Sequence, residues 1–525
     1  MRIAGASAVL AVTAGCTPKH DTTPTTRPPT PTGLTSATGG ARSPTAASAQ
    51  SATAQATDLD ALRRSLGDRL ITPTDPTYST VAGLFDPRFD RIHPLAIARC
   101  TSTQDIQRCL DFARSTGTPV AARSGGHSYG GYSTSSGLVI DIGPLNAIVV
   151  DTSSGIARIG AGARLADVYA KLDAAGVSIP AGSCPTVGIA GLALGGGIGV
   201  VARKYGLTCD RIKAVELVTA DGQALRCDAK SEPDLLWAHR GGGGGNFGIV
   251  TALEFETYQT SPLSYFVLRW DWASAAAVIA AWQDWLPVAP DELWTSLHVD
   301  GAGSSSDTAH VFVSGVYVGD PAGLEPLINE LQVASKAPLT TRFVKQAGHL
   351  QTMMIEGGCA DLSVAQCRPQ SEGGQLARES QLARSDYIAA PLSSSGIDVV
   401  LTAIEGRRAK KLFGGGVLFD AYGGAINRIG ATDTAFAHRD KLACLQYVAP
   451  LLTVAGAGAN RAWLDELYTA MRPYVSGYAY QNYIDPQLSD WQHAYYGANL
   501  NRLVGVKTAY DPTNVFAFAQ GIPIK

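Results

Sequence analysis

Glycine crowds around a single histidine, His127, in residues 123–133, which read Arg-Ser-Gly-Gly-His-Ser-Tyr-Gly-Gly-Tyr-Ser. Glycine tolerates positive φ and lets the backbone approach a ligand closely. Successive backbone N–H groups in such a turn form an anion-binding concavity suited to a pyrophosphate. The same pattern is also typical of a glycine-rich surface loop with a solvated histidine. A second observation is needed to choose between these two readings.

Two more glycine-dense segments follow. Residues 182–199 read Gly-Ser-Cys-Pro-Thr-Val-Gly-Ile-Ala-Gly-Leu-Ala-Leu-Gly-Gly-Gly-Ile-Gly and hold one reactive side chain, Cys184. Residues 241–248 read Gly-Gly-Gly-Gly-Gly-Asn-Phe-Gly and contain the G-x-G-x-x-G spacing of dinucleotide sites. That motif binds NAD only when a helix follows it. The β-branched residues from Ile249 onward predict a strand instead, which argues against NAD.

These motifs together resemble the berberine-bridge-enzyme-like FAD oxidases, within the vanillyl-alcohol-oxidase, PCMH-type group of flavoproteins. In that family the histidine of Arg-Ser-Gly-Gly-His bonds to the 8α-methyl carbon of the flavin. The cysteine of Gly-x-Cys-Pro-Thr-Val-Gly bonds to ring carbon 6. His127 and Cys184 match those positions. The resemblance therefore implies FAD attached covalently at both residues.

The resemblance also implies a wider flavin-binding set, drawn from the three glycine-dense segments and one C-terminal residue. No metal is expected in it. The set comprises Arg123, Ser124, Gly125, Gly126, His127, Ser128, Tyr129, Gly182, Cys184, Thr186, Val187, Gly188, Gly191, Gly195, Gly197, Gly199, Asn246, Gly248, Ile249, Val250 and Asn482.

The C-terminal run Tyr480-Gln-Asn-Tyr483 matches the family's Tyr-x-Asn-Tyr motif. The resemblance makes Tyr483 the general base and places Asn482 against the flavin. The competing interpretation of Tyr483 is an ordinary core tyrosine. The unperturbed pKa of tyrosine is about 10. Tyr483 could act near neutral pH if a cation or hydrogen-bond donor lowered that value, but the sequence does not name such a group.

Four other positions bear on the reaction. In the family, valine three residues after the flavin-linked cysteine accompanies reaction with dioxygen, and this chain has Val187 there. Gln446 and Tyr447 are predicted to be available to the substrate. Leu192 is a departure, because many plant relatives have a flavin-contacting histidine at that position.

The composition argues against some partners, and the N-terminus predicts export. The net charge is −3 and charged residues make up 17% of the chain, which does not favour binding to nucleic acid. Residues 1–16 resemble a lipoprotein signal ending in Thr13-Ala-Gly-Cys16, and residues 17–56 read as a disordered Thr/Pro/Ser-rich linker. We expect a cell-surface lipoprotein or a secreted protein, with lipid on Cys16 as its one membrane attachment. A mis-assigned start before a disordered leader is the alternative.

The predicted fold class is α+β with two domains. Alternating strands and helices predict a mixed sheet with covering helices, and the resemblance implies that residues 57–260 form a PCMH-type FAD-binding domain. Residues 261–475 predict a substrate domain with an antiparallel sheet covered by helices, and residues 476–525 are expected to return and complete the FAD domain. Cys359 and Cys367 are the best disulfide candidates and Cys100 and Cys109 are the next. Buried free thiols are the alternative.

We therefore expect an FAD-dependent oxidoreductase that oxidises a small-molecule alcohol by hydride transfer to flavin N5, with dioxygen as acceptor and hydrogen peroxide as product. The substrate is a sugar or oligosaccharide hemiacetal, or a hydroxyl group of a secondary metabolite. A dehydrogenase that uses another acceptor is one alternative. A non-catalytic surface-binding lipoprotein is the other. The sequence assigns no oligomeric state.

Overall fold

The computed structural model describes residues 58–451 and 456–525, so the predictions for the signal segment and for the whole linker lie outside the described residues. The strands are β1 (Leu70–Ile71), β2 (Ala96–Arg99), β3 (Val120–Arg123), β4 (Leu138–Asp141), β5 (Ile148–Asp151), β6 (Ile156–Gly160), β7 (Val177–Ser178), β8 (Ile212–Val218), β9 (Ala224–Asp228), β10 (Ile249–Glu256), β11 (Tyr258–Gln259), β12 (Leu263–Trp270), β13 (Leu293–Asp300), β14 (His310–Tyr317), β15 (Leu339–Ala347), β16 (Gln381–Ile388), β17 (Gly416–Ala421) and β18 (Ala443–Pro450).

Helices lie between many of these strands along the chain. They are α1 (58–66), α2 (Tyr78–Ala82), α3 (Thr103–Thr116), α4 (Leu165–Asp173), α5 (Ile189–Leu194), α6 (Ala202–Tyr205), α7 (Pro233–His239), α8 (Ala275–Trp285), α9 (Pro321–Ser335), α10 (His349–Glu356), α11 (Ser394–Ala409), α12 (Ala457–Met471), α13 (Trp491–Tyr496) and α14 (Leu500–Tyr510).

The N-terminal half contains two main sheets. The first has strand order β1-β2-β4-β3, and β2, β4 and β3 run parallel. The second is antiparallel, with order β5-β6-β10-β8-β9. Strand β3 ends at Arg123, so it delivers the chain directly into the His127 segment. Strand β10 begins one residue after the polyglycine segment, which confirms the predicted strand at that point.

The second half is built on a seven-stranded antiparallel sheet, as predicted, with order β15-β12-β14-β13-β17-β18-β16. Helices α9, α8, α11 and α12 pack side by side. The Trp282 indole N–H on α8 donates to Thr295 Oγ1 at 3.0 Å, and Tyr468 on α12 meets the Tyr447 ring edge-on. Strand side chains alternate between faces. Ser296 and Gln446, the neighbours of these contact residues along the strands, therefore point away from the helices.

The C-terminal segment contacts the polyglycine loop. The Lys507 ammonium donates to the Asn246 carbonyl oxygen at 2.9 Å, and the Ile522 N–H donates to Asn246 Oδ1 at 2.9 Å. Lys507 is fully buried and also pairs with Asp511 at 2.7 Å. A buried ammonium is tolerated when it is paired and hydrogen-bonded, and here those partners fix the loop.

A disulfide joins Cys359 to Cys367, which confirms the predicted pair. Arg368, the residue after this disulfide, contacts α4: its guanidinium lies 2.6 Å from the Asp167 carboxylate. Cys100 and Cys109 are buried free thiols with their sulfur atoms 3.9 Å apart. Across residues 58–451 and 456–525, no helix combines the length and apolar character that a membrane span needs. The same ranges contain no cluster of His, Cys, Asp and Glu suited to a metal ion.

Candidate active site

A cavity of about 340 Å³ lies where the three glycine-dense segments meet the 3₁₀ turn Gln481–Tyr483. It brings together sixteen of the residues singled out in the sequence. These are Ser124, Gly125, Gly126, His127, Ser128, Tyr129, Gly182, Cys184, Val187, Gly188, Gly191, Asn246, Gly248, Val250, Asn482 and Tyr483.

Neighbouring side chains contact the His127 imidazole ring on one face and at one edge. The Phe85 ring stacks on its imidazole with centroids 4.0 Å apart, and Nε2 lies 2.8 Å from Thr186 Oγ1. Burial, with a smaller contribution from the Arg164 charge, lowers the pKa of His127 to about 3. The imidazole is therefore neutral at physiological pH and keeps a nucleophilic nitrogen.

The Tyr483 phenol faces an acid and not a cation. Its O–H donates to Asp420 Oδ2 at 3.5 Å, and its ring stacks on Tyr129 with centroids 5.6 Å apart. Burial, reinforced by Asp420, raises the pKa of Tyr483 well above its usual value. Burial also raises the pKa of Asp420 to about 6. The lowered tyrosine pKa considered from the sequence is thus wrong.

A second buried carboxyl group, Glu356, lies at the C-terminal end of α10. It is 2% exposed, and burial together with the nearby Asp420 charge raises the pKa of Glu356 to about 8. The next residue, Gly357, abuts the Cys184 segment, because an added Cβ would lie 2.9 Å from the Ser183 carbonyl oxygen. Two carboxyl groups whose pKa values are separated by their surroundings are typical of acid–base sites.

Several predicted site residues lie behind the wall of the cavity. Arg123 pairs with Asp141 at 3.1 Å, and Ile249 is fully buried in β10. Gly195 packs under the Asn482 side chain, and Gly199 packs on the Ala181 carbonyl. The Gly197 N–H donates to the Tyr480 hydroxyl oxygen at 2.8 Å. Together with Thr186, these residues pack behind the residues that line the cavity.

Gln446 and Tyr447 separate onto opposite faces of the sheet. The Gln446 amide donates to the Tyr129 hydroxyl oxygen at 3.1 Å, so it reaches the cavity through that side chain. Tyr447 is fully buried against Tyr468 under the helices. The prediction that Tyr447 is available to substrate is wrong, because adjacent residues of a strand cannot share a face.

Asp420 and Glu356 were not identified from the sequence. Asp420 is the one acid in Gly-Val-Leu-Phe-Asp-Ala, the apolar run of β17. A single acidic residue within such an apolar run is a signal for a buried functional group, since carboxylates are rarely fully buried. Glu356 follows Met-Met-Ile in α10 and carries the same signal.

The cavity fits a flavin nucleotide. Gly126, Gly243 and Gly245 have φ values of 73°, 90° and 74°, a conformation that turns backbone groups toward a ligand. An added Cβ on Gly191 would meet no protein atom within 4 Å, and one on Gly244 would meet its nearest neighbours only at 3.9 Å. These glycines therefore border open space, and the neutral imidazole of His127 and the thiol of Cys184 line the same space.

Comparison with known proteins agrees with this chemistry. A family model described as FAD binding domain matches residues 94–228, and one described as berberine and berberine like matches residues 479–523. The chain is 33% identical over 463 residues to YgaK, an uncharacterized FAD-linked oxidoreductase of Bacillus subtilis, covering 87% of this chain and 97% of the relative. The chain belongs to the berberine-bridge-enzyme-like family of FAD-linked oxidoreductases.

Solved structures of the family share this fold. BBE-like 1 of Physcomitrella patens superposes with a TM-score of 0.81 at 31% identity, covering 89% of this chain and 99% of that one. A chitooligosaccharide oxidase superposes with a TM-score of 0.80 at 25% identity, covering 89% of this chain and all of that one. The protein is therefore an FAD-dependent oxidoreductase with the predicted α+β fold of the berberine-bridge-enzyme-like family.

Proposed function

We propose that this protein oxidises an alcohol carbon of a sugar, an oligosaccharide or a secondary metabolite, with FAD bonded to both His127 and Cys184 and with dioxygen as the electron acceptor. The proposal depends most on the hydrogen bond from the Tyr483 hydroxyl to the Asp420 carboxylate at 3.5 Å. An alcohol oxidation needs a group that removes the hydroxyl proton, and this pair provides one beside the cavity.

The pair can act as a relay. A substrate hydroxyl bound at the Tyr483 oxygen gives its proton to Tyr483 while Tyr483 passes its own proton to Asp420. The pKa of Asp420, about 6, leaves it mostly ionised at pH 7 and ready to accept. Free tyrosinate never has to form, so the raised pKa of Tyr483 is compatible with its role. Bound FAD supplies the acceptor for the hydride that leaves the carbon.

The other parts of the cavity serve orientation. Asn482 is fixed because its amide donates to the Leu192 carbonyl at 3.0 Å and to the Tyr480 hydroxyl at 2.9 Å. Tyr129 stacks beside Tyr483 and accepts hydrogen bonds from Gln446 and Gln381. A planar aromatic wall with polar groups at its rim suits a hydroxylated ring substrate. The similarity to a chitooligosaccharide oxidase supports a carbohydrate.

Val187 supports dioxygen as the acceptor. It lines the cavity close to Cys184, where a branched but small side chain leaves room for a diatomic gas. A dehydrogenase with another acceptor is the second candidate, and a non-catalytic binding protein is the third. The three differ in a simple readout: an oxidase forms peroxide, a dehydrogenase reduces a dye without forming peroxide, and a flavin-free binding protein is colourless.

The test uses purified full-length protein and a panel of monosaccharides, oligosaccharides and phenolic alcohols, with peroxide and dye reduction measured in parallel. We expect peroxide with at least one carbohydrate. Acid precipitation should leave the flavin with the protein, each of H127A and C184A should retain one bond, and the double variant should retain none. Flavin that washes out of the wild type would contradict the bicovalent proposal. Dye reduction without peroxide would contradict the oxidase proposal.

A further inference from the structure

The His127 and Cys184 segments are fastened to each other by contacts among protein groups alone. An added Cβ on Gly125 would lie 3.0 Å from the Thr186 carbonyl oxygen and closer still to the Gly188 backbone, so the two loops touch. Arg164 reinforces the contact, because its Nη1 donates to the Thr186 carbonyl at 2.7 Å and to the Gly125 carbonyl at 3.4 Å.

One side chain of this junction contacts the His127 ring directly. Thr186 is 1% exposed, and its hydroxyl oxygen lies 2.8 Å from His127 Nε2. Phe85 stacks on the face of the same imidazole. Stacking limits tilt of the ring, and the hydrogen bond fixes its rotation. The ring therefore presents its other nitrogen, Nδ1, for reaction.

We propose that the Thr186 hydroxyl is the positioning residue for the bond between His127 and FAD, and that it does not determine the bond at Cys184. This inference rests on the proposed bicovalent flavin. The proposal requires the hydroxyl oxygen to accept the Nε2–H, which holds the neutral imidazole in the tautomer whose Nδ1 carries the lone pair. The partner of one ring nitrogen sets the state of the other, as in histidine ligands of metals.

The reaction balances with dioxygen as oxidant. A bond forms between Nδ1 and the methyl carbon of the flavin, one C–H bond of that methyl group breaks, and both its proton and the Nε2–H proton leave to solvent, which returns two protons when dioxygen is reduced. Two electrons pass to the flavin ring, and dioxygen removes them as hydrogen peroxide. Thr186 undergoes no covalent change. It limits the imidazole to one orientation, which is the kind of contribution that positioning makes to an intramolecular reaction.

The test is Thr186→Val, which keeps the side-chain shape and removes the hydroxyl, with Thr186→Ser as the conservative variant that keeps it. Thr208→Val is the matched control. Thr208 is also a buried threonine, but its hydroxyl donates to the Gly197 carbonyl oxygen at 3.0 Å and not to His127. Each protein is incubated with FAD in air, digested and analysed by mass spectrometry for flavin carried by the His127 and Cys184 peptides.

We expect the wild type, T186S and T208V to give the two peptides bridged through one flavin. T186V should carry flavin on the Cys184 peptide with at least a tenfold loss of the histidyl bond. Bridged peptides in T186V at the wild-type level would overturn the inference while leaving bicovalent FAD intact. Loss of both bonds in T186V would overturn it as well, since the cysteinyl bond is expected to survive. A wild type without histidyl flavin would instead refute the proposed function.

Discussion

Replacing Asp420 with asparagine tests whether this carboxylate accepts the proton that Tyr483 releases. Asparagine keeps the size and hydrogen-bonding ability of the side chain but cannot take up a proton. A positioned general base contributes about 10²–10⁴-fold, which corresponds to about 3–5 kcal/mol of barrier at about 1.4 kcal/mol per tenfold. Flavin reduction in D420N should slow by that factor at pH 8.

The pH profile makes the test sharper. With its pKa at about 6, Asp420 should give the wild-type rate of flavin reduction a limb near pH 6. One unit below that value about one-tenth of the carboxyl groups are ionised, so the rate at pH 5 should fall about tenfold below the plateau. D420N should be slow at every pH and should lack this limb.

The assay is anaerobic stopped-flow measurement of flavin bleaching from pH 5 to pH 9, with the best substrate of the panel. Asp386→Asn is the control, because Asp386 is fully buried on strand β16, two strands from β17 in the same sheet, and is bonded to Arg472. D386N should reduce flavin at close to the wild-type rate. A D420N protein that matches the wild type, or that keeps the limb near pH 6, would refute the proton relay.

Three further predictions follow from the same residues and from the N-terminus. Tyr483→Phe should slow anaerobic flavin reduction by about 10²–10⁴-fold. Flavin content and reoxidation by dioxygen should stay close to the wild type. Equal slowing of reoxidation would argue against a specific role of Tyr483 in substrate oxidation. Glu356→Gln should lessen the loss of stability at high pH, because Glu356 keeps its proton up to about pH 8 in the folded protein but releases it above about pH 4.5 in the unfolded chain. Between these two values the free energy of unfolding of the wild type falls by roughly 1.4 kcal/mol for each pH unit. Thermal unfolding of both proteins at pH 6 and pH 9 measures the difference, and an identical pH dependence would contradict the prediction. Cys16→Ser should release the protein from membranes in cell fractionation, and unchanged partitioning would contradict the lipid anchor.

The sequence predicted those parts of the site that lie in contiguous motifs. The His127, Cys184 and Tyr483 segments each carry their local environment with them, so their residues could be assigned a common cavity from the family resemblance. The helix over Thr103–Thr116 also carries local signals in the sequence, Ser102 before its start and Gly117 after its end; in the structure the Asp105 N–H donates to Ser102 Oγ at 3.2 Å and Gly117 has a φ of 66°. These motifs and helix-capping residues can be recognised because they depend only on residues that are neighbours along the chain.

Contacts between segments that are far apart in the chain could not be predicted from local motifs. Asp420 meets Tyr483 across 63 residues, and which face of β17 points to the cavity depends on the register of a seven-stranded sheet. One residue of register moves every side chain to the other face. The same dependence explains why Gln446 reaches Tyr129 while Tyr447 does not. A basic tyrosine would need a cation or a hydrogen-bond donor beside Tyr483, whereas the sheet supplies a carboxylate from β17, a strand that no sequence motif marks.

The bonds that tie Lys507 and Ile522 to Asn246 have a consequence for how the protein matures. Ile522 lies 276 residues beyond Asn246, so a ribosome adding about 5–20 residues per second needs roughly 15–55 s to deliver it. During that interval the polyglycine loop lacks the partners that fix it, and Tyr483 is still to be synthesised for most of the time. Stable cofactor binding is therefore expected only after this C-terminal segment has been synthesised, and nascent chains stalled before α14 should emerge without stably held flavin.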